Sequence, residues 1–182
     1  MTLEQTNDGA GCEQEQPARA HLAEAMAAHG RGEIDVACAA AREAIALCPT
    51  LAAAHAYLGN TLVTRQRRFA DGLAALERAT ELTPRDATTW YTLGWCREYA
   101  AHALSRSRRN RQPPGVDAPT LYAAAREALL RARSLDPDAA LLGDVEDMLD
   151  VVASATGEPW DEALVARAAP RSRGAASTSG RG

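Results

Sequence analysis

Three segments of this chain end with the same spacing of alanine, leucine and proline. Ala lies five residues, and Leu two residues, before each of Pro49, Pro84 and Pro137. Small or apolar side chains also recur eight, twelve and fifteen residues before each proline. In that order they are Ala41, Leu76 and Leu129, then Ala37, Gly72 and Ala125, then Ile34, Phe69 and Tyr122. Steps of three or four residues place these side chains on one helical face. Because proline cannot continue the hydrogen-bond ladder, the pattern predicts three helices that each stop just before a proline.

The composition favours helices over a sheet. Apolar residues make up 46% of the chain, but 41 of the 182 residues are Ala, which has the highest intrinsic helix propensity. Phe occurs once, at Phe69, and too few β-branched and aromatic residues remain for a large sheet. We therefore expect an all-α fold whose helices pack closely through small side chains.

A second pattern begins six residues after Pro49 and again six residues after Pro84. Its two copies are His55-x-x-Leu58-Gly59 and Trp90-x-x-Leu93-Gly94. The two prolines lie 35 residues apart. This arrangement resembles the tetratricopeptide repeat, a helix–turn–helix unit of about 34 residues whose first helix carries W-x2-L-G-x2-Y. The resemblance implies an α-α superhelix, a solenoid of paired helices.

The resemblance covers residues 18–152 and implies three repeats followed by a cap. The repeats are 18–51, 52–86 and 87–139, and the capping helix spans 139–152. A cap of this kind closes the last apolar face of a repeat stack.

The remaining segments are an insertion and two tails. Pro84 and Pro137 lie 53 residues apart, which predicts a loop rich in Arg and Pro, at 105–119, inserted in the third repeat. The acidic segment 1–17 and the segment 153–182 are predicted to be mostly disordered. A short helix is expected near 159–167, where Pro and acidic residues precede Arg.

In tetratricopeptide repeats the first helix of each pair lines a concave groove that holds peptides or partner helices. In repeat 1 the resemblance implies this role for Leu22, Met26 and His29. In repeat 2 it implies the role for Ala56, Asn60 and Val63. In repeat 3 it implies the role for Tyr91, Trp95 and Glu98, with Tyr99 beside them. Asn60 can both donate to and accept from an extended backbone. The aromatic side chains offer a large contact area and have few rotatable bonds that binding would immobilise. Packing of Trp95 and Tyr99 against the cap is the alternative to binding.

This groove differs from those that clamp a terminal carboxylate. Repeat proteins with such a clamp place Lys, Asn and Arg at set groove positions. Here those positions hold Leu22, Met26, Tyr57, Thr88 and Thr92. Because no cation is among them, we expect an apolar or mixed ligand.

No motif points to catalysis, a metal or a cofactor. The four His residues are scattered, the four Cys residues lack zinc-ligand spacing, and no phosphate loop, H-E-x-x-H or nucleophile elbow occurs. We therefore expect no enzymatic activity and no cofactor. The first 17 residues lack the features of a secretory signal, and no run of 18 apolar residues occurs. These features predict a cytoplasmic protein with reduced thiols and no membrane partner.

The predicted function is that of an adaptor, which binds a peptide or helix of another protein in the groove. One alternative is a self-assembling homo-oligomeric scaffold, in which the Trp160 segment or an exposed end docks on a neighbouring copy. Another is weak nucleic-acid binding through the basic loop residues Arg106, Arg108, Arg109 and Arg111, which could neutralise phosphates. The net charge of −4 and the lack of interleaved aromatic residues disfavour nucleic acid.

Overall fold

A computed structural model of the protein describes residues 12–106 and 116–161. Within these ranges the chain forms seven α-helices and no strand. They are α1 (Glu15–Gly30), α2 (Ile34–Leu47), α3 (Ala52–Thr64), α4 (Phe69–Leu82), α5 (Ala87–Ser105), α6 (Ala118–Ser134) and α7 (Ala139–Thr156). The prediction of an all-α fold is confirmed.

Helices that are adjacent in the chain pack against each other. The most extensive contacts join α1 to α2, α3 to α4, and α5 to α6, and each of these pairs packs on the helix that follows it. The first helices of successive pairs also meet, since α3 contacts α5 and α5 contacts α7. This packing is consistent with a helical-repeat superhelix, as the sequence predicts.

Short polar signals set where several helices begin and end. Pro49 lies two positions after the last residue of α2, and Pro84 lies two positions after the last residue of α4. Asp86, Asp117 and Asp138 cap the starts of α5, α6 and α7, because each carboxylate accepts hydrogen bonds from backbone N–H groups of the first turn. The prolines and the aspartates therefore divide the chain into its helices.

The helix ends differ from the predicted boundaries. α1 begins at Glu15, inside the predicted tail 1–17. The insertion predicted at 105–119 is helical at both ends, and residues 107–115 lie outside the described residues. α7 continues to Thr156, where Gly157 adopts a left-handed conformation with φ of 77°. Of the short helix predicted near 159–167, residues 159–161 are not helical, and the rest lies outside the described residues.

Small residues fill the contacts between paired helices. Six alanines of the paired helices are completely buried: Ala25, Ala37, Ala44, Ala79, Ala125 and Ala132. Between α3 and α4 the backbones themselves approach. A Cβ atom added at Gly59 would lie 2.6 Å from the Gly72 carbonyl oxygen, and one added at Gly72 would lie 2.7 Å from the Gly59 carbonyl oxygen. Glycine at both positions is therefore a steric requirement of this helix pair.

We expect Gly59→Ala to lower the free energy of unfolding by about 1–3 kcal/mol, because the new methyl group overpacks the α3–α4 contact. The matched control is Gly143→Ala in α7, where an added Cβ meets nothing within 4 Å. That control should raise the free energy of unfolding by up to about 1 kcal/mol, since Ala is the better helix former. Urea denaturation measures both. Equal effects of the two substitutions would contradict this packing.

Candidate functional site

Three of the predicted groove residues meet in a cleft between α3 and α5. Asn60 of α3 and Tyr91, Thr92 and Trp95 of α5 line it, and it encloses about 230 Å³. Asn60 lies 35 positions before Trp95 in the chain, and packing of α3 against α5 brings the two together. All four side chains are partly exposed, so they are accessible from outside the protein.

Tyr99 extends this cleft along α5. Its ring stacks on Trp95 with a centroid distance of 5.7 Å and an interplanar angle of 23°. Both rings also pack against the main hydrophobic core. Packing therefore does not remove these aromatics from the surface, because each ring contacts the core while part of it stays exposed. We call the set Asn60, Tyr91, Thr92, Trp95 and Tyr99 the α3–α5 surface.

A basic recess of about 440 Å³ continues from Tyr99. Its other lining residues are Arg67, His102, Ala103 and Arg106. Arg106 caps the C-terminus of α5, and its Nη1 atom lies 3.4 Å from Nε2 of His102. The Arg67 guanidinium sits over the ring of Phe69, 5.6 Å from its centroid. Within the described ranges no carboxylate forms an ion pair with Arg67 or Arg106, so this end of the surface is positively charged.

The opposite end of the α3–α5 surface is acidic. The pKa of Tyr91 is raised by burial first, and then by the charges of Asp144 and Asp147 in α7. Burial raises the pKa of Glu98, and the charge of His102, one turn further along α5, lowers it, so Glu98 lies near the basic end and not near Tyr91. A ligand lying along α5 would thus pass from a negative to a positive environment.

The predicted residues on α1 lie apart from this cleft. Met26 is 59% exposed, and Leu22 packs partly against a small cluster that includes Ala18 and Cys48. Neither lines the cleft, so a ligand of the α3–α5 surface would have to extend beyond it to reach them.

His29 belongs to a polar network that joins α1 to α3. The Tyr57 hydroxyl donates to the Ala25 carbonyl oxygen at 2.8 Å, so it can only accept from Nδ1 of His29, at 3.2 Å. Nε2 of His29 is then free to accept from Nε of Arg65, also at 3.2 Å. These bonds are mutually consistent for a neutral imidazole. The network takes up the hydrogen-bonding groups of His29, and so fixes the first helix pair on the second.

The prediction for Val63 is wrong. Its side chain is completely buried, and it occupies the space where a Cβ of Gly72 would lie, 2.7 Å from the Val63 Cγ2 atom. Val63 is one helical turn from Asn60, but it points to α4 instead of the cleft. It contributes to the core and not to a binding surface.

The lining residues outside the predicted set are Arg67, His102 and Ala103 of the basic recess. Thr92 lines the cleft and already stands at a groove position in the comparison with carboxylate clamps. Arg67 lies in the turn between α3 and α4 with a positive φ of 54°, and periodicity says nothing about such a position. Of the predicted basic loop contacts, Arg106 lines the recess, whereas Arg108, Arg109 and Arg111 lie outside the described residues.

Trp160 docks on its own chain. Its Nε1 atom donates to Oδ1 of Asp150 at 2.6 Å, and the Arg133 guanidinium lies 5.2 Å from its ring centroid. Nε of Arg133 also donates to Glu146 at 3.0 Å. These contacts fasten the stretch after α7 to α6 and α7, so the indole is already engaged within the protein.

Comparison with known proteins yields no family assignment. No family model matches the chain, and no curated protein matches it. Across residues 12–106 and 116–161, no group of three or more His, Cys, Asp or Glu side chains could hold a metal ion. No helix within the same ranges is long and apolar enough to cross a membrane.

Substitutions at Asn60 and Val63 test whether the first residue belongs to the surface and the second to the core. We expect Val63→Ala to lower the free energy of unfolding by about 1–3 kcal/mol, because it leaves a cavity against α4. Asn60→Ala should change the free energy of unfolding by no more than about 0.5 kcal/mol, since its side chain has only a long 3.4 Å contact with Thr64. Chemical denaturation followed by circular dichroism measures both. A loss for Asn60→Ala as large as that for Val63→Ala would make Asn60 a structural residue.

Proposed function

We propose that this chain is a cytoplasmic adaptor of the tetratricopeptide-repeat type that binds a segment of another protein on the α3–α5 surface, without catalysis. The observation that carries the proposal is the convergence of Asn60, Tyr91 and Trp95 in one partly exposed cleft. The resemblance of the sequence to the repeat, together with the pairwise packing of the helices, supports the family assignment.

The chemistry of the cleft fits a peptide. The Asn60 amide can donate to and accept from a peptide backbone at the same time. The Trp95 and Tyr99 rings, held by the core on one side, offer rigid apolar area, and aromatic residues of this kind often dominate binding energy. At about 230 Å³, the cleft is smaller than the roughly 300–1,000 Å³ of typical small-molecule sites. That size favours a single side chain of a longer ligand.

The experiment is selection of short random peptides displayed on phage against the immobilised full-length protein, followed by fluorescence anisotropy with the selected peptides. We expect Trp95→Ala and Asn60→Ala each to weaken binding about tenfold or more, as loss of a contact at the centre of an interface does. The matched control is Val36→Ala, since Val36 is also exposed, at 49%, but lies on α2.

Two results would contradict the proposal. One is the absence of any peptide whose binding depends on the α3–α5 surface. The other is equal loss of binding in the Val36→Ala control, which would place the interaction elsewhere. Circular dichroism of each variant verifies that binding is measured on folded protein.

A further inference from the structure

Two of the cysteines lie together at one end of the first helix pair. Cys12 precedes α1, and Cys48 follows α2. The Cys12 thiol donates to the carbonyl oxygen of Leu47 at 3.1 Å, which holds it beside the residue just before Cys48. Both cysteines line the same recess of about 570 Å³, and each thiol shifts the pKa of the other.

The other two cysteines are placed quite differently. Cys38 and Cys96 are 1% and 0% exposed, and they belong to two separate hydrophobic clusters. Burial raises the pKa of Cys38 and raises that of Cys96 to about 12, so both stay protonated and unreactive near neutral pH. They serve as internal controls for the first pair.

We propose that Cys12 and Cys48 are an oxidisable thiol pair, which hydrogen peroxide converts into a disulfide joining the start of α1 to the end of α2. One thiolate attacks a peroxide oxygen, which breaks the O–O bond and yields a sulfenic acid and hydroxide, and the hydroxide becomes water by taking up the proton that the thiol released on ionising. The second thiol then attacks the sulfenic sulfur, forms the S–S bond and releases a second water. In sum, two thiols and one peroxide give one disulfide and two water molecules.

The electrostatics of the pair assign the two roles. The pKa of Cys48 is lowered, first by its contact with Cys12 and also by the Thr50 hydroxyl, whose oxygen lies 3.6 Å from the Cys48 sulfur, while the pKa of Cys12 is raised, first by Cys48. Cys48 therefore ionises more readily than Cys12, which makes it the attacking sulfur. Cys48 is only 2% exposed, but it borders the recess through which a molecule as small as peroxide can reach it. The half-buried Cys12 is then the resolving thiol.

The disulfide would act on the first helix pair. It would close a loop between residues 12 and 48, and such a cross-link stabilises a fold mainly by restricting the unfolded chain. The α3–α5 surface lies on other helices, so peptide binding there should be the same before and after oxidation. This inference therefore does not depend on the proposed function.

The test treats the full-length protein with hydrogen peroxide, then alkylates it with N-ethylmaleimide in denaturant. We expect wild type to carry alkyl groups on Cys38 and Cys96 only. Tryptic digestion should give a cross-linked product of peptides 1–19 and 43–65, which contain Cys12 and Cys48. Thermal unfolding should shift upward by about 5 °C or more on oxidation, and return after reduction with dithiothreitol.

One variant and one chemical probe keep the test decisive. Cys12→Ser lies outside the helices and should fold normally, yet show neither the cross-linked peptide nor the thermal shift. Dimedone, which reacts with sulfenic acids, should then label Cys48 in that variant. Failure of oxidised wild type to yield the 1–19 and 43–65 product would overturn the proposal. So would a cross-link that involves Cys38 or Cys96, or a thermal shift that persists in Cys12→Ser.

Discussion

The contact between the backbones of α3 and α4 sets the geometry on which the rest of the structure depends. Gly59 and Gly72 face each other so closely that the space a side chain on either residue would need is filled by the other's carbonyl group. The equivalent positions in the first pair are Ala25 and Ala37, both completely buried. Close approach of paired helices leaves their outer faces free to pack on the next pair. The alanine-rich composition is thus concentrated where the helices must touch.

Stacking of the pairs is what creates the candidate site. Asn60 and Trp95 belong to different pairs, and only the contact between α3 and α5 makes them line one cleft. The step from α1 to α3 is different, because the Tyr57 hydroxyl and His29 form a polar link there. The surface that runs from α1 across α3 to α5 is therefore not uniform. It has a polar junction near α1, an aromatic cleft between α3 and α5, and charges of opposite sign at the two ends of that cleft.

The sequence predicted the helix faces well, since the spacing of Gly72, Leu76 and Ala79 reflects burial that recurs with each pair. It predicted helix ends less well. α5 runs on to Ser105 and α7 to Thr156, because local capping and not periodicity decides where a helix stops. The site was predicted in part, as Asn60, Tyr91 and Trp95 show. The prediction for Val63 was wrong because side chains three positions apart on a helix differ in direction by about 60°. That difference is enough here to turn Val63 from the cleft into the core. The contribution of Arg67 depends on how the turn after α3 lies beside α5, which no spacing in the sequence encodes, whereas His102 shares a helical face with Trp95 and Tyr99.

The central claim is that ligands are held between α3 and α5. The most direct test is NMR titration of the isotopically labelled full-length protein with a peptide selected against it. We expect changes in amide chemical shift to centre on Asn60, Tyr91 and Trp95, with little change on the outer faces of α2 and α4. Changes centred on α2, on α4 or on the start of α1, with Asn60 and Trp95 unaffected, would contradict it.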